Sequence, residues 1–255
     1  MPQFQPVKPV RTHESIVHQI EEAIFRGDVA PGQRLPSERE LVVQFGVSRA
    51  SVREALRDLQ SSGLLRSRPG DPSGGAEVQS FSSAVLSRSL TALVRLEGLR
   101  LHELVVFRMV VEGSATYLAA LHRQDEHLRR IRKAHLAMRR LVGGDQKEFA
   151  RVDAEFHQAI AEASGNQLLR VCNEVAPGLV MGLIGDELAR SSDLRALHEQ
   201  TCTRHARVLR MISKGDALEA AHLAKLYLAE YYGPYVSPNE AAELFELAHR
   251  VVGAF

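Results

Sequence analysis

The sequence predicts a mainly α-helical protein with two domains. Residues 1–80 should form three helices and a small β-hairpin, and residues 81–255 an all-α antiparallel helical bundle. A length of 255 residues suits two domains of ordinary size. Apolar residues recur with helical spacing along most of the chain, and strand-like segments flank a single stretch rich in glycine and proline, PGDPSGG at 69–75.

Three short helices are predicted before this stretch. They cover about residues 15–25, 37–45 and 48–61. Ser37 and Ser48 are suitable N-caps for the second and third helices, because a serine side chain accepts a hydrogen bond from a first-turn backbone N–H. Gly46 supplies the corner between these helices, since glycine adopts a positive φ at little cost. This order of elements is typical of a helix-turn-helix.

A β-hairpin is predicted directly after the third helix. Its strands should lie in residues 63–68 and 76–78, on either side of the tip at 69–75. A hairpin in this position is a wing. The N-terminal domain is therefore predicted to be a winged helix-turn-helix, the fold that presents its third helix to the major groove of DNA.

The remainder of the chain predicts a bundle of eight helices. They are separated by Gly, Asp, Ser or Pro and cover residues 83–97, 101–122, 125–141, 146–163, 167–188, 194–213, 217–232 and 240–252. Such a succession of amphipathic helices with short connections predicts antiparallel packing.

Composition adds a localisation and a local charge signal. The N-terminus lacks the apolar core of a signal peptide and no stretch has the length of a membrane helix, so a cytoplasmic protein without a membrane partner is expected. Two cysteines do not make a disulfide framework and are expected to be free thiols. Net charge is only +1, but seven arginines against four acidic residues between Arg34 and Gly70 favour binding to DNA.

The predicted recognition helix begins with residues suited to DNA. Arg49 and Arg53 are candidates for reading bases, because a guanidinium can contact guanine O6 and N7 together. The hydroxyls of Ser48 and Ser51 suit phosphate oxygens. Arginines that form a solvated helix face, paired with nearby Glu38, Glu54 and Asp58, are the alternative.

These motifs resemble a known family. LPSEREL at 35–41, GVSR at 46–49, VREAL at 52–56 and GLL at 63–65 closely resemble the winged helix of GntR-type regulators. The rest resembles the FadR-like branch, whose helical effector domain is called FCD. The marks of that domain are Arg108 with Glu112, Asp153 to His157, the Ser164-Gly165-Asn166 turn, Arg204-His205 and Lys214-Gly215-Asp216.

The resemblance implies a dimeric transcription regulator rather than an enzyme. The dimer would bind a pseudo-palindromic operator in double-stranded DNA, and a small carboxylate metabolite in the helical domain would alter operator affinity. The DNA contacts implied by the resemblance and by the Arg-flanked wing are Arg39, Ser48, Arg49, Ala50, Ser51, Arg53, Arg66, Arg68 and Gly70. The effector contacts would be Arg108, Glu112, Asn166 and Tyr227.

Arg108 lies in an otherwise apolar predicted helix. Its fork of N–H groups fits a carboxylate, and an ion pair with Glu112 four residues later is the alternative. The two arrangements are compatible in a protein without effector.

A divalent metal site is the second feature of the helical domain. Asp153 and His157, four residues apart, share one face of a predicted helix, and His205 lies on another inward stripe. The resemblance implies zinc, nickel or manganese on these three ligands and on a fourth, a histidine, where this chain has Tyr227. A neutral phenol is a poor zinc ligand.

Three arrangements of this site stay open. Water or effector could complete a three-ligand site, or a second histidine, His198 or His222, could do so. In the third, no metal binds and the three residues form a hydrogen-bonded cluster with Tyr227.

Alternative functions also stay open at this point. A helical-bundle metalloenzyme would use an Asp/His/His site with an open position, although the first 80 residues then have no explanation. An acyl-CoA-responsive regulator without metal and a DNA-architectural protein without ligand are the others. The sequence does not identify the effector, the operator or the regulated genes, or whether the protein represses or activates them.

Overall fold

The computed structural model describes residues 12–66, 75–79, 83–188 and 193–250. The chain divides into two compact units, Met1–Val85 and Leu86–Phe255, with the boundary a few residues beyond the predicted one at position 80. Across the described ranges there are eleven α-helices, one short 3-10 helix and one two-stranded antiparallel sheet. The mainly α prediction, with a winged N-terminal unit and a helical C-terminal unit, is confirmed.

The N-terminal unit follows the predicted order of elements. Its helices and strands are α1 (Thr12–Phe25), α2 (Glu38–Phe45), α3 (Arg49–Ser61), β1 (Leu65–Arg66) and β2 (Glu77–Val78). Buried residues from all of them form one core, made of Ile16, Ile20, Leu35, Leu41, Val52, Ala55, Leu56, Leu59, Leu65, Ala76 and Val78. Full burial of one such aliphatic side chain stabilises a fold by about 1.5–3 kcal/mol, so this small unit depends on each of them.

Capping fixes the positions at which α2 and α3 begin. Ser37 and Glu40 form a reciprocal capping box: Glu40 N donates to Ser37 Oγ at 3.3 Å, and Ser37 N donates to Glu40 Oε2 at 2.8 Å. Gly46 ends α2 in the left-handed conformation, with φ +65°. Ser48 then caps α3 by accepting from Ser51 N at 3.1 Å.

A third segment, which was not predicted from the sequence, joins the sheet of the wing. β1 pairs with β2 through Leu65 with Val78 and Arg66 with Glu77. Residues 33–35 add a third, irregular edge: Arg34 bridges Glu77, and Val78 N donates to the Gln33 carbonyl at 2.8 Å. Within the described residues β1 begins at Leu65 and β2 at Glu77, two residues and one residue later than predicted. Arg68 and the predicted tip up to position 74, which includes Gly70, lie outside the described residues.

The C-terminal unit consists of helices throughout the part that the structure describes. These helices are α4 (Ser83–Glu97), α5 (Leu101–His122), α6 (Asp125–Arg140), α7 (Gln146–Ala163), α8 (Gln167–Leu188), α9 (Leu194–Lys214), α10 (Ala217–Tyr232) and α11 (Pro238–His249), with a 3-10 turn at Gly233–Tyr235. The last helix begins two residues earlier than predicted, because Ser237 caps it in a second capping box with Glu240.

Helix α5 is the centre of this unit. It packs against α7, α8, α9, α10 and α11, and its buried residues include the charged pair Arg108 and Glu112. By length and composition α5 could cross a membrane, but 61% of that apolar window is buried inside the protein. Burial against neighbouring helices is what a central bundle helix requires.

Candidate DNA-binding surface and effector cavity

Helix α3 separates an apolar face from a basic one. Val52, Ala55, Leu56 and Leu59 are buried in the N-terminal core. Arg49, Arg53 and Arg57, spaced by four residues, are exposed and share the opposite side of the helix. The N-terminal end of α3, where the helix dipole is positive, therefore carries arginines on its solvent side, an arrangement suited to polyanionic DNA.

The other predicted contact residues lie around this end of α3. Arg39, Ser48, Ala50 and Arg66 are exposed, and Ser51 is half-buried, with its Oγ 3.0 Å from Ser48 Oγ. The Ser48 hydroxyl thus caps α3 by accepting from Ser51 N, and the Ser51 hydroxyl lies beside it.

The alternative of paired arginines applies to part of the surface. Arg53 Nε lies 2.8 Å from Glu38 Oε2, and Arg66 lies 3.7 Å from Glu77. Exposed pairs of this kind contribute about 0–1 kcal/mol, so phosphate can displace them. Within the described ranges, Arg49 has no ion pair.

The helical unit contains a partly open cavity of about 230 Å³ between α5, α7, α8, α9 and α10. Its wall carries Arg108, Glu112, Asp153, His157, His205 and Tyr227 together, with apolar residues such as Phe149, Phe156, Ile160 and Val208. Six of the predicted metal or effector residues therefore face one space.

Asp153, His157 and His205 meet at one point of this cavity. Their ligand atoms lie within 4.8 Å of one another. His205 Nε2 is 2.8 Å from Asp153 Oδ1, and His157 Nε2 is 3.8 Å from Asp153 Oδ2. The histidine rings approach edge to face with centroids 4.9 Å apart, and Phe156 stacks on His205. Burial alone would raise the pKa of Asp153, but hydrogen bonding to His205 and the charge of His157 lower it overall, which keeps the carboxylate charged.

Glu112 connects this cluster to Arg108. One carboxylate oxygen accepts from Arg108 Nε, and the other lies 3.2 Å from His157 Nδ1. Arg108 also donates through Nη1 to the Tyr232 hydroxyl at 2.6 Å. The ion-pair interpretation of Arg108 therefore holds in this structure, and Arg108 also lines the cavity.

Tyr227 has the most unusual environment in the cavity. Its hydroxyl is buried and has no hydrogen-bond partner among the residues that the structure describes. The Arg204 guanidinium lies over its ring, 5.5 Å from the centroid, and pairs with Glu230 at 2.5 Å. An unpaired buried hydroxyl costs about 1–3 kcal/mol, so a group from outside the protein is expected to satisfy it.

The two substitute histidines have other roles. His198 stacks on Phe149 with ring centroids 3.7 Å apart. Its Nδ1 accepts from Gly143 N at 3.2 Å, and its Nε2 lies 2.6 Å from Gln146 Oε1, so neither ring nitrogen is available. His222 uses Nδ1 for the Ala248 carbonyl at 3.0 Å and does not line the cavity. Neither fits as a fourth ligand.

Asn166 is not brought to the cavity. It is exposed at the start of α8, where its Oδ1 accepts from Leu168 N at 3.0 Å and from Leu169 N at 3.1 Å. Asn166, which follows Ser164-Gly165, therefore caps the N-terminus of α8, a common role for asparagine.

The donor set fits a divalent metal. Two imidazoles and one carboxylate are ligands of zinc and of other transition metals. Glu112 beside His157 Nδ1 supplies the outer carboxylate that orients a metal-binding histidine and leaves Nε2 for the metal. The Tyr227 hydroxyl lines the same cavity and has no hydrogen-bond partner in the described part of the chain.

Together, a winged helix-turn-helix and a helical unit whose cavity carries charged residues define a DNA-binding transcription regulator that responds to a ligand. The chain matches the family described as "Bacterial regulatory proteins, gntR family" over residues 12–74 and the "FCD domain" over residues 103–230. It therefore belongs to the GntR family of regulators that carry an FCD effector domain.

Curated relatives agree with this assignment. The chain is 34% identical over 173 residues to the HTH-type transcriptional repressor NanR of Cronobacter sakazakii, covering 64% of this chain and 63% of that protein. It is 29% identical over 210 residues to the HTH-type transcriptional regulator LutR of Bacillus subtilis, covering 80% of this chain and 92% of that protein. The match thus spans less than two thirds of NanR.

A solved structure agrees on the fold. Streptococcus agalactiae GntR superposes with a TM-score of 0.64 at 22% identity, over 86% of this chain and 98% of that one. Because the relatives are named regulators, the metalloenzyme alternative is wrong.

Several cavity residues were not singled out from the sequence as contacts. Tyr231, Tyr232, Arg204 and Thr201 line the cavity. Tyr232 lies at the end of the predicted helix that also contains Tyr227, and this position was the one indication of its role. Helical periodicity does not show which residue of α10 contacts Arg108. Arg204 stood out only as a mark of the family resemblance.

Proposed function

We propose that the protein binds a pseudo-palindromic operator as a homodimer and that a small organic acid in the helical unit, held beside a divalent metal, changes operator affinity. The observation that carries the ligand half of this proposal is the cavity in which Asp153, His157 and His205 converge and which buried Arg108 also lines. The DNA half rests on the exposed arginine face of α3 and on membership of the family.

In the proposed DNA complex, the N-terminal end of α3 enters the major groove. Arg49 and Arg53 read bases, while Ser48, Ser51 and Arg39 fix the helix against phosphates. Ala50 allows close approach of the backbone or contact with a thymine methyl. Arg66, Arg68 and Gly70 serve as wing contacts, although the last two lie outside the described residues.

The proposed effector contacts are Arg108, Glu112 and Tyr227. Arg108 offers its free N–H groups to a carboxylate, and its pairing with Glu112 holds the guanidinium in place. Asn166, which caps α8, is left out of the proposed contacts. The metal, when bound on Asp153, His157 and His205, supplies a Lewis-acid position for an oxygen of the acid.

An acyl-CoA effector fits less well. A cavity of about 230 Å³ is small for an acyl-CoA, and the two arginines, two carboxylates and three histidines on its wall offer partners to a compact polar ligand. A buried charge without a partner group from the ligand is costly, so a compact polar ligand is the better match.

The proposed response is a change in dimer geometry. Two recognition helices must dock together on half-sites at a fixed spacing, and an effector that shifts this spacing removes the advantage of joint binding. Such a dimer acts in the cytoplasm, where operator DNA and metabolites are both present, and has no membrane partner.

Operator binding in the presence of organic acids tests the proposal. Operators are first selected from random duplexes with the purified protein, and affinity is measured by fluorescence anisotropy with zinc chloride and a panel of small carboxylates. The proposal predicts that at least one acid changes the Kd for the operator and that Arg108→Met abolishes this response without changing the Kd in the absence of acid. An acid that stabilises the protein but leaves the Kd unchanged would contradict it.

A further inference from the structure

We infer that Tyr227 and Arg204 form a second recognition point in the effector cavity, which binds an uncharged oxygen-bearing group at the end of the effector opposite its carboxylate. This inference rests on the proposed function, in which Arg108 receives the carboxylate. It narrows the effector to a singly charged acid that carries a hydroxyl, carbonyl or amide several atoms away from the carboxylate.

The cavity contains two similar arrangements of arginine, carboxylate and tyrosine. In the first, Arg108 pairs with Glu112, donates to the Tyr232 hydroxyl and lies 5.7 Å from that ring centroid. In the second, Arg204 pairs with Glu230 and lies 5.5 Å from the ring centroid of Tyr227. Both tyrosines belong to α10 and line the same cavity.

The two arrangements lie apart along α10. Tyr227 and Tyr232 are separated by five residues, which corresponds to a rise of about 7.5 Å along the helix axis. A ligand with one binding group contacts one of them. A ligand that contacts both must carry polar groups at two ends of a chain of several atoms.

Hydrogen bonding distinguishes the second arrangement from the first. The Tyr232 hydroxyl already accepts from Arg108, so the protein itself satisfies it. The Tyr227 hydroxyl is buried without a hydrogen-bond partner in the described part of the chain. Nearby Thr201 donates to the Leu197 carbonyl at 2.9 Å. Tyr227 is therefore the group on this wall that needs a ligand atom.

Charge explains why the ligand group at this end is uncharged. Glu230 pairs with Arg204 at 2.5 Å just as Glu112 pairs with Arg108, so neither arginine by itself carries excess positive charge. The proposed divalent metal would add positive charge at the first point, where Glu112 contacts the metal-ligand candidate His157, whereas Tyr227 adds only a hydroxyl at the second. A hydroxyl, carbonyl or amide oxygen accepts from the Tyr227 O–H without bringing a second charge into the cavity.

Three six-carbon acids with different ends test the inference. Hexanoate, 6-hydroxyhexanoate and adipate are titrated calorimetrically into the full chain in the presence of zinc chloride. We expect 6-hydroxyhexanoate to bind about tenfold more tightly than hexanoate, the effect of one hydrogen bond to a buried donor. Adipate should bind more weakly than 6-hydroxyhexanoate, because its second carboxylate finds no free cation.

Tyr227→Phe is the decisive variant, and Tyr117→Phe is its matched control, since Tyr117 packs against the core of the same unit outside the cavity. Tyr227→Phe should remove the preference for 6-hydroxyhexanoate and leave hexanoate affinity unchanged, while Tyr117→Phe keeps the preference. Without any acid, Tyr227→Phe should have a Tm equal to or above that of the wild type, because it removes a hydroxyl that has no partner.

Other outcomes overturn the inference in distinguishable ways. If hexanoate and 6-hydroxyhexanoate bind equally, or if Tyr227→Phe keeps the preference, Tyr227 is not a recognition point. The proposed function still stands in that case if Arg108→Met weakens the binding of hexanoate. Tighter binding of adipate shows that the second point takes an anion. Failure of all three acids to bind overturns the inference, whereas the organic-acid proposal is decided separately by the operator titrations with the panel of small carboxylates.

Discussion

Replacement of Glu112 by leucine tests how the effector cavity balances its charges. Glu112 is only 3% exposed, accepts from Arg108 Nε and lies 3.2 Å from His157 Nδ1. Burial alone would raise the pKa of Glu112, but the charges of Arg108 and His157 outweigh burial and lower it, so the carboxylate is ionised. Glu112→Leu therefore leaves Arg108, itself 7% exposed, as a buried cation with the Tyr232 hydroxyl as its remaining partner.

The expected loss of stability follows from this burial. Removing one member of a buried ion pair destabilises a protein by about 3–5 kcal/mol, because the other charge stays behind uncompensated. The double variant Arg108→Met/Glu112→Leu removes both charges. Relative to Glu112→Leu, which also leaves His157 Nδ1 unpaired, it replaces the uncompensated charge of Arg108 with an unpaired Tyr232 hydroxyl, which costs only about 1–3 kcal/mol. The double variant is thus expected to be more stable than Glu112→Leu alone.

Urea unfolding of the chelator-treated full chain, followed by far-ultraviolet circular dichroism, measures these differences. The helical unit dominates this signal because most of the described helices belong to it. The reasoning is refuted if Glu112→Leu stays within about 1 kcal/mol of the wild type. It is equally refuted if the losses of the two single variants simply add in the double variant, since additivity means that the two charges do not interact.

Three further predictions concern the wing, a buried histidine and the recognition helix. At Gly75 (φ +77°) an added Cβ would lie 1.9 Å from the Leu35 carbonyl oxygen, so Gly75→Ala should lower the thermal stability of the N-terminal unit by about 3 kcal/mol. Gly32→Ala, at φ +86° in open space, should lower it by about 1 kcal/mol in the same calorimetric scan. Desolvation lowers the pKa of His198, so below the ordinary value of 6.5 the unfolded chain takes up a proton that the folded chain excludes, and stability falls as pH drops from 6.5. His198→Phe should flatten the slope of unfolding free energy against pH between 6.5 and 5 by up to about 1.4 kcal/mol per pH unit, and an unchanged slope would count against this assignment. Arg49→Ala should weaken operator binding by about 1–3 kcal/mol in anisotropy titrations and relax selectivity at one base pair, whereas equal losses on operator and random DNA would indicate a phosphate contact.

The N-terminal unit was largely predictable because its signals are local. Ser37, Gly46 and Ser48 each determine the conformation of their own turn, and the structure shows the caps and the positive φ that these residues predict. The pairing of Arg34 with Glu77 was missed, since it joins residues far apart in sequence and has no alternating pattern of its own.

The cavity was predictable only in part. Asp153 and His157 share a helix face, and so their proximity followed from spacing alone. The approach of Glu112 to His157 and of Arg108 to Tyr232 depends on how α5 rotates against α7 and α10, which periodicity does not determine. Asn166 shows the reverse error: a residue prominent in the sequence serves a helix terminus instead of the cavity.

Measuring whether the cavity binds a metal is the most direct test of the proposed function. Calorimetric titration of zinc into chelator-treated protein, with metal content checked by mass spectrometry, should give one equivalent bound per chain. His157→Ala and His205→Ala should each lose that equivalent while keeping the helical circular dichroism spectrum, and His222→Ala should retain it. No zinc binding by the wild type, or full binding by both His157→Ala and His205→Ala, would contradict a metal centre on Asp153, His157 and His205.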